Sequence, residues 1–191
     1  VYKPTSTIGF SDNTVCVGTN VNFTATDYTV HGSNLSFNWN FNNGLSSNLQ
    51  NPTSSFSTGG TYQVNLIYQE ISTGCKDSVF QTIFVQEYPN AGFTSTADSL
   101  SVICPNDNVL FTNTSSSTTP LISYQWDFGN GSTSTFPNPG TPYANNGTYT
   151  VQLIISTSYG CKDAVSHNYI VRGPSGNFFT NLNGDTICRL E

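Results

Sequence analysis

Two short stretches constrain this chain more than anything else in it. Residues 124–131 read Tyr124, Gln125, Trp126, Asp127, Phe128, Gly129, Asn130, Gly131. Residues 37–44 read Phe37, Asn38, Trp39, Asn40, Phe41, Asn42, Asn43, Gly44. In each, three aromatic residues alternate with polar ones, the period-2 pattern of a strand with one buried face. Each ends in Gly and Asn residues that tolerate positive φ, so the chain can reverse there. The tryptophans stand 87 positions apart. A core tryptophan strand recurring once per ~90 residues points to a tandem array of β-sandwiches.

Other anchors keep this spacing. Tyr62 matches Tyr149 and Val64 matches Val151 at 87 positions, and Gly74-Cys75-Lys76-Asp77 recurs as Gly160-Cys161-Lys162-Asp163 at 86. Strands are expected at 21–25, 35–41, 61–68 and 78–85 in the first repeat, and at 109–112, 122–128, 148–155 and 165–171 in the second. No segment of ten residues carries apolar i, i+3, i+4 spacing. The expected fold class is therefore all-β, with tandem immunoglobulin-like sandwiches and essentially no helix. A valine, a proline and a phenylalanine recur in order as Val1, Pro4, Phe10, then Val85, Pro89, Phe93, then Val171, Pro174, Phe179. These read as three copies of one junction, stiffened by proline. Residues 1–4 are then the tail of a preceding repeat, 5–87 and 88–172 two sandwiches, and 173–191 a linker and the start of a third.

Composition narrows the function classes. Charged residues are 8% of the chain, against about 25% in an average domain. Aromatics are 13%, ample for two cores and unlike a disordered chain. With five Lys+Arg and a net charge of −6, no phosphate-neutralising patch forms, so no nucleic-acid partner is expected. No apolar run approaches the ~18–20 residues of a membrane span, so this stretch is not expected to insert. Neither a Met nor a signal peptide is present, as expected of an internal piece of a longer protein.

The five cysteines fall two per repeat with one left over: Cys16 and Cys75, Cys104 and Cys161, and Cys188. Repeat symmetry selects Cys16–Cys75 and Cys104–Cys161 as pairs, with the partner of Cys188 beyond residue 191. Such bridges would contribute roughly 2–4 kcal/mol each and imply an oxidising compartment. A zinc site would need clustered Cys and His, and there is no Cys-x-x-Cys.

Tyr124, Trp126-Asp127-Phe128-Gly129-Asn130-Gly131, Ser134, Pro139, Tyr143, then Gly147, Tyr149, Val151 and Leu153 at alternate positions, together resemble the polycystic kidney disease (PKD) domain. The resemblance covers residues 90–172 well. Residues 5–87 match less well, with Ser54, Ser55 and Phe56 in place of the family's His-x-Tyr. Thr141 replaces the family His in the second repeat. The Gly-Cys-Lys-Asp element, with a cysteine before the first core strand, resembles PKD repeats of large Bacteroidota surface proteins, gliding-motility adhesins among them. That resemblance implies an extracellular, cell-surface array whose partners are neighbouring repeats and a surface polysaccharide or protein. Asp77-Ser78-Val79, Asp98-Ser99-Leu100 and Asp185-Thr186-Ile187 match the Bacteroidota O-glycosylation signature, which makes Ser78, Ser99 and Thr186 candidate acceptors.

Catalytic chemistry is not expected. The two histidines, His31 and His167, occupy non-equivalent places, and no nucleophile elbow accompanies either. The carboxylates are scattered singly, so no catalytic residue is assigned. Asp127, with Asn130 and backbone carbonyls, is a candidate calcium site. The alternative, which Asn40 in the other repeat favours, is that Asp127 accepts turn amides; no other cofactor is expected. Trp39, Trp126, Tyr62 and Tyr149 are expected in the core and not on a sugar-binding platform. Tyr28, Phe136 and Tyr159 are the candidate exposed aromatics. The expected function is a non-catalytic spacer in a long surface adhesin or filament. The alternative is an accessory carbohydrate- or protein-binding module of a secreted hydrolase.

Overall fold

A computed structural model describes residues 6–27, 34–98 and 103–173. The chain divides into two compact units, Val1–Tyr88 and Pro89–Glu191. All regular elements among the described residues are strands. In the first unit they are β1 (Ser6–Phe10), β2 (Thr14–Cys16), β3 (Val21–Asp27), β4 (Leu35–Asn40), β5 (Ser46–Ser47), β6 (Thr53–Ser54), β7 (Gly60–Glu70) and β8 (Lys76–Gln86). One sheet has the order β1-β3-β6 and the other β2-β8-β7-β4-β5. In the second unit they are β9 (Phe93–Ser95), β10 (Asn108–Asn113), β11 (Leu121–Asp127), β12 (Thr133–Ser134), β13 (Gly140–Pro142), β14 (Gly147–Thr157) and β15 (Lys162–Val171). Here the sheets are β13-β10-β9 and β12-β11-β14-β15. Pairing is antiparallel except for β2 on β8, which is parallel. The parallel bridge of Ile103 to Val171 repeats that exception in the second unit.

Alternation along each strand builds the cores. On β7, Val64, Leu66 and Tyr68 are buried, and Val151, Leu153 and Ile155 repeat the pattern on β14. Trp39 on β4 is wholly buried, its ring 5.6 Å from Phe23 of the opposite sheet and 6.1 Å from Phe41. Trp126 on β11 lies 5.6 Å from Phe111 and 6.2 Å from Phe128. Each indole N–H finds an acceptor, as a buried tryptophan requires. Trp39 donates to the Leu49 carbonyl at 2.8 Å, and Trp126 to the Phe136 carbonyl at 3.0 Å. The tryptophan thus joins the sheets through its ring and fixes the following loop through its nitrogen. Both tryptophans are core residues, as their stripes predict.

The junction alignment needs one correction. Phe111 N–H donates to the Pro139 carbonyl as Phe23 N–H donates to that of Pro52, so Phe23 and Phe111 are equivalent. Phe10 lies opposite Phe23, but Ser95 lies opposite Phe111. The counterpart of Phe93 is therefore the buried Ile8, and Phe10 is only partly buried. A slip of two residues keeps a side chain on the same face of a strand, so apolar spacing alone could not fix this register. The residues assigned to the preceding tail, 1–4, and nearly all of the third-repeat segment lie outside the described residues.

Candidate functional sites

The aromatic strands end in side-chain-held turns. Asp127 is exposed, and its Oδ1 accepts the Gly129 N–H at 2.8 Å. In the first unit Asn40 Oδ1 accepts the Asn42 N–H at the same distance. Asn130 then reaches across the turn. Its Oδ1 accepts the Ser132 N–H at 3.0 Å, while its Nδ2 donates to Thr141 Oγ1 and the Pro142 carbonyl. Asn43 makes the equivalent bonds to Leu45, Ser54 and the Ser55 carbonyl. Asp127, the calcium candidate, is thus engaged as a turn-forming acceptor in a network that an amide reproduces in the other repeat. The buried Thr141 and Ser54 stand where the family pattern has histidine, and they serve that network.

Tyr62 and Tyr149 are half-buried, at the margin of the cores. Tyr149 Oη donates to the Asn145 carbonyl at 2.8 Å and Tyr62 Oη to the Thr58 carbonyl at 3.0 Å. This is the tyrosine corner of immunoglobulin-type sandwiches, where the hydroxyl ties down the approach to a long strand. Against these rings lie Tyr143, at 4.6 Å, and Phe56, at 4.5 Å, both fully buried. Tyr143 also donates to the Phe128 carbonyl at 3.2 Å. Burial, together with Tyr169 and Tyr149 nearby, pushes the Tyr143 hydroxyl pKa upward.

The Gly-Cys-Lys-Asp element grips the incoming chain. Asp163 Oδ2 accepts the Ala91 N–H at 2.8 Å. In the first unit the link runs through a tyrosine: Ser6 N–H donates to Tyr68 Oη at 3.1 Å, and Tyr68 Oη donates to Asp77 Oδ2 at 3.2 Å. Sequence reasoning missed this role, although the recurrence of the aspartate 86 positions on was its visible signal.

The cysteines correct the expected pairing. Cys75 is a free, half-buried thiol. Cys16, Cys104 and Cys161 are disulfide-bonded. Cys16 lies opposite Gln86 at the end of β8, while Cys75 immediately precedes Lys76 at its start. Eleven residues of extended chain separate those ends, about 35 Å at strand rise. Bridging needs Cα atoms within ~7 Å, so Cys16–Cys75 does not form. Cys104 follows Ile103, which bridges Val171 at the end of β15, and Cys161 precedes its start. A ten-residue strand separates these two. Repeat symmetry had paired the equivalent cysteines of each unit, but a linear spacing carries no information about which end of a strand each approaches. Cys188 lies outside the described residues.

The remaining candidates do not converge. His167 is exposed, its ring centroid 4.5 Å from that of Phe93. His31 and Tyr28 lie outside the described residues, as do Ser99 and Thr186, while Ser78 is exposed on β8. Asp98 caps the turn after β9, accepting the Ser95 N–H at 2.6 Å and the Tyr169 hydroxyl at 2.8 Å. Burial would raise its pKa, but the Ser95 and Tyr169 hydrogen bonds and the nearby His167 hold it below the ordinary value. Burial pushes Tyr169 up to about 12, with the Asp98 carboxylate adding to the effect. Among the described residues no group of three His, Cys, Asp or Glu is placed to hold a metal ion, and no helix is long and apolar enough to cross a membrane. Phe136 is 73% exposed and Tyr159 54%. Phe80 and Phe84 stand exposed on β8, with Ile67 on the neighbouring β7.

Two sandwiches with tryptophan strands, tyrosine corners and turn-held ends define immunoglobulin-like modules of one kind. Residues 2–85 and 93–171 match the PKD domain family, and the chain belongs to it. Over 97 residues it is 31% identical to a microbial collagenase of Vibrio alginolyticus, a match covering 51% of this chain and 12% of that protein. Over 87 residues it is 34% identical to the pre-pro-metalloprotease PrtV of Vibrio cholerae, covering 46% of this chain and 9% of that protein. Among solved structures, the PKD1 domain of Vibrio anguillarum Epp is 30% identical. That match covers 47% of this chain and 99% of that domain, with a TM-score of 0.40. The chain therefore spans about a tenth of the length of these two curated relatives.

Proposed function

We propose that this chain is a non-catalytic, extracellular pair of PKD modules that spaces and positions other parts of a longer surface or secreted protein. The observation that carries this reading is where the recurring polar groups go. Asp127 and Asn40 hold turns, Tyr149 and Tyr62 hold corners, and Asp163 and Asp77 hold the incoming chain. These three recurring pairs of polar residues are thus committed to fold or junction. Disulfide-bonded cysteines suit an oxidising, extracellular setting. A stalk in a cell-surface adhesin, gliding adhesins included, uses these properties directly, and glycosylation at Ser78 is compatible with its exposure.

A second reading, substrate docking for a secreted hydrolase, is favoured by two observations. Curated matches include a collagenase and a metalloprotease. Phe80, Phe84 and Ile67 also lie exposed on one sheet of the first unit. Sedimentation with insoluble collagen, cellulose or chitin separates the readings. The spacer role predicts that the chain stays in the supernatant; retention abolished by Phe80→Ser with Phe84→Ser would establish docking instead.

A further inference from the structure

The larger sheet of the first unit, β2-β8-β7-β4-β5, gives one face to the core and the other to solvent. Trp39, Val64, Leu66, Ile83 and Val85 point inward, so the alternate residues point outward. The register sets these in rows across the strands. Asn40, Asn65 and Phe80 form one row, and Asn38, Ile67 and Ser78 the next. Phe84 stands opposite Thr61, further along β8. Phe80 is 52% exposed, Phe84 44% and Ile67 40%. Together they make a broken apolar ridge about 20 Å long at strand rise.

Amides and hydroxyls fill the spaces between the apolar side chains. Ser36 and Gln69 extend the face beside Lys76. Asn48 joins Asn38, Ile67 and Gln69 around an open groove there. Lys76 is the one charged side chain among the outward positions of β4, β7 and β8.

The second unit separates what this scaffold needs from what it does not. Its matching outward positions hold Ser166 and Ile170 where the first unit has Phe80 and Phe84, opposite Gln152 and Thr148 in the same register. Gln152 Nε2 donates to Ser166 Oγ at 3.4 Å. Asn65, the counterpart of Gln152, keeps its Oδ1 buried with no hydrogen-bond partner among the described residues. The sheet forms without the two rings, so their place on the first unit calls for a reason outside the fold. So does the unmet acceptor beside them.

We propose that this outward face binds a neutral polysaccharide whose sugar rings lie along Ile67, Phe80 and Phe84, a proposal that rests on the docking reading and names its substrate class. A pyranose presents C–H groups on its faces and hydroxyls around its edge. Aromatic and aliphatic side chains take the faces by burying apolar surface. Amides both donate and accept, as hydroxyls do, so the surrounding Asn and Gln side chains suit the edges. Rotation of the Asn65 amide outward gives its Oδ1 a hydroxyl donor. A polyanion fits poorly, because a single lysine opposes little of a repeating charge. A protein partner fits less well too, since interface cores are apolar patches and here rows of amides and hydroxyls interrupt the apolar side chains.

Native electrophoresis of the full chain, through gels that each hold one soluble polymer, tests the proposal. Hydroxyethyl cellulose, galactomannan and arabinoxylan serve as neutral glycans, polygalacturonate as an anionic one and gelatin as a protein. At least one neutral glycan should retard the chain. Phe80→Ser with Phe84→Ser should weaken that binding about tenfold or more, while Ile170→Ser, the matching change in the second unit, should leave it unaltered. Phe80→Tyr with Phe84→Tyr, which keeps the ring faces, should bind as the parent does. Both positions are exposed, so the urea midpoints of these variants should match the parent's. Retardation by gelatin alone would uphold docking and overturn the polysaccharide class. Retardation by polygalacturonate alone would likewise overturn it. Binding to a neutral glycan that survives the double serine variant would overturn the site, and no retardation in any gel would overturn docking altogether.

Discussion

At the scale of single residues, the turn after the tryptophan strand makes the sharpest demands. Gly129 has φ +72°, and a Cβ there would come 2.7 Å from the Thr150 carbonyl oxygen. Gly129→Ala should therefore destabilise the second unit by about 1–3 kcal/mol, measured by urea unfolding followed through Trp126 fluorescence. The first unit holds Asn42 at this place with φ 58°, so Gly129→Asn should cost less than Gly129→Ala. Tyr149→Phe removes the corner hydroxyl and should cost about 1 kcal/mol. The Asp98–Tyr169 pair sets a pH dependence at both extremes. The Asp98 pKa in the folded chain lies below its ordinary 3.8, so its stabilisation is present above about pH 4 and is lost as pH falls through the folded value. The Tyr169 pKa rises from 10.0 to about 12, so its contribution is intact below pH 10 and lost as pH climbs towards 12. Unfolding midpoints across both ranges should flatten at the acid end in Asp98→Asn and at the alkaline end in Tyr169→Phe.

At the scale of elements, the tryptophan strands were legible because burial leaves a period-2 trace. β4, β7, β11 and β14 follow directly from their stripes. Trp126→Ala should cost about 3–5 kcal/mol and release the Phe136 loop, seen as faster amide exchange there. The short strands β5, β6, β12 and β13 left no such trace. They are two or three residues long, too short for a period to show, and the Asn43 and Asn130 side chains tie down β6 at Ser54 and β13 at Thr141 and Pro142. The parallel strand β2 was hidden for a related reason, since three residues beside a glycine turn look like loop. Missing β2 is what concealed the cysteine geometry, because β2 is the element that carries Cys16 to the far end of β8. The candidate site was legible in its chemistry and illegible in its connectivity. Asp127 as a turn acceptor could be read from residue type and its Asn40 counterpart. The grip of Asp163 on Ala91 spans 72 positions and has no local signature.

At the scale of the whole molecule, two sandwiches with separate cores predict two separable folding units. Each core closes on its own aromatic cluster, Phe23, Trp39 and Phe41 in one and Phe111, Trp126 and Phe128 in the other. A small sandwich stapled by an internal disulfide would lose roughly 2–4 kcal/mol on reduction, a shift of several degrees in Tm for a domain of this size. Here the two cysteines of the first unit sit at opposite ends of β8, so no internal staple is within reach. A chain of residues 1–88 alone, kept under oxidising conditions and taken as monomer, should therefore show two titratable thiols per molecule. Its thermal unfolding should be the same with and without dithiothreitol. A Tm lowered by several degrees in reductant, with fewer than two thiols titrating beforehand, would mean that the sandwich closes on itself and that the strand register separating Cys16 from Cys75 is wrong. Unchanged melting would place the stability of the first unit in its packed aromatics and turn networks.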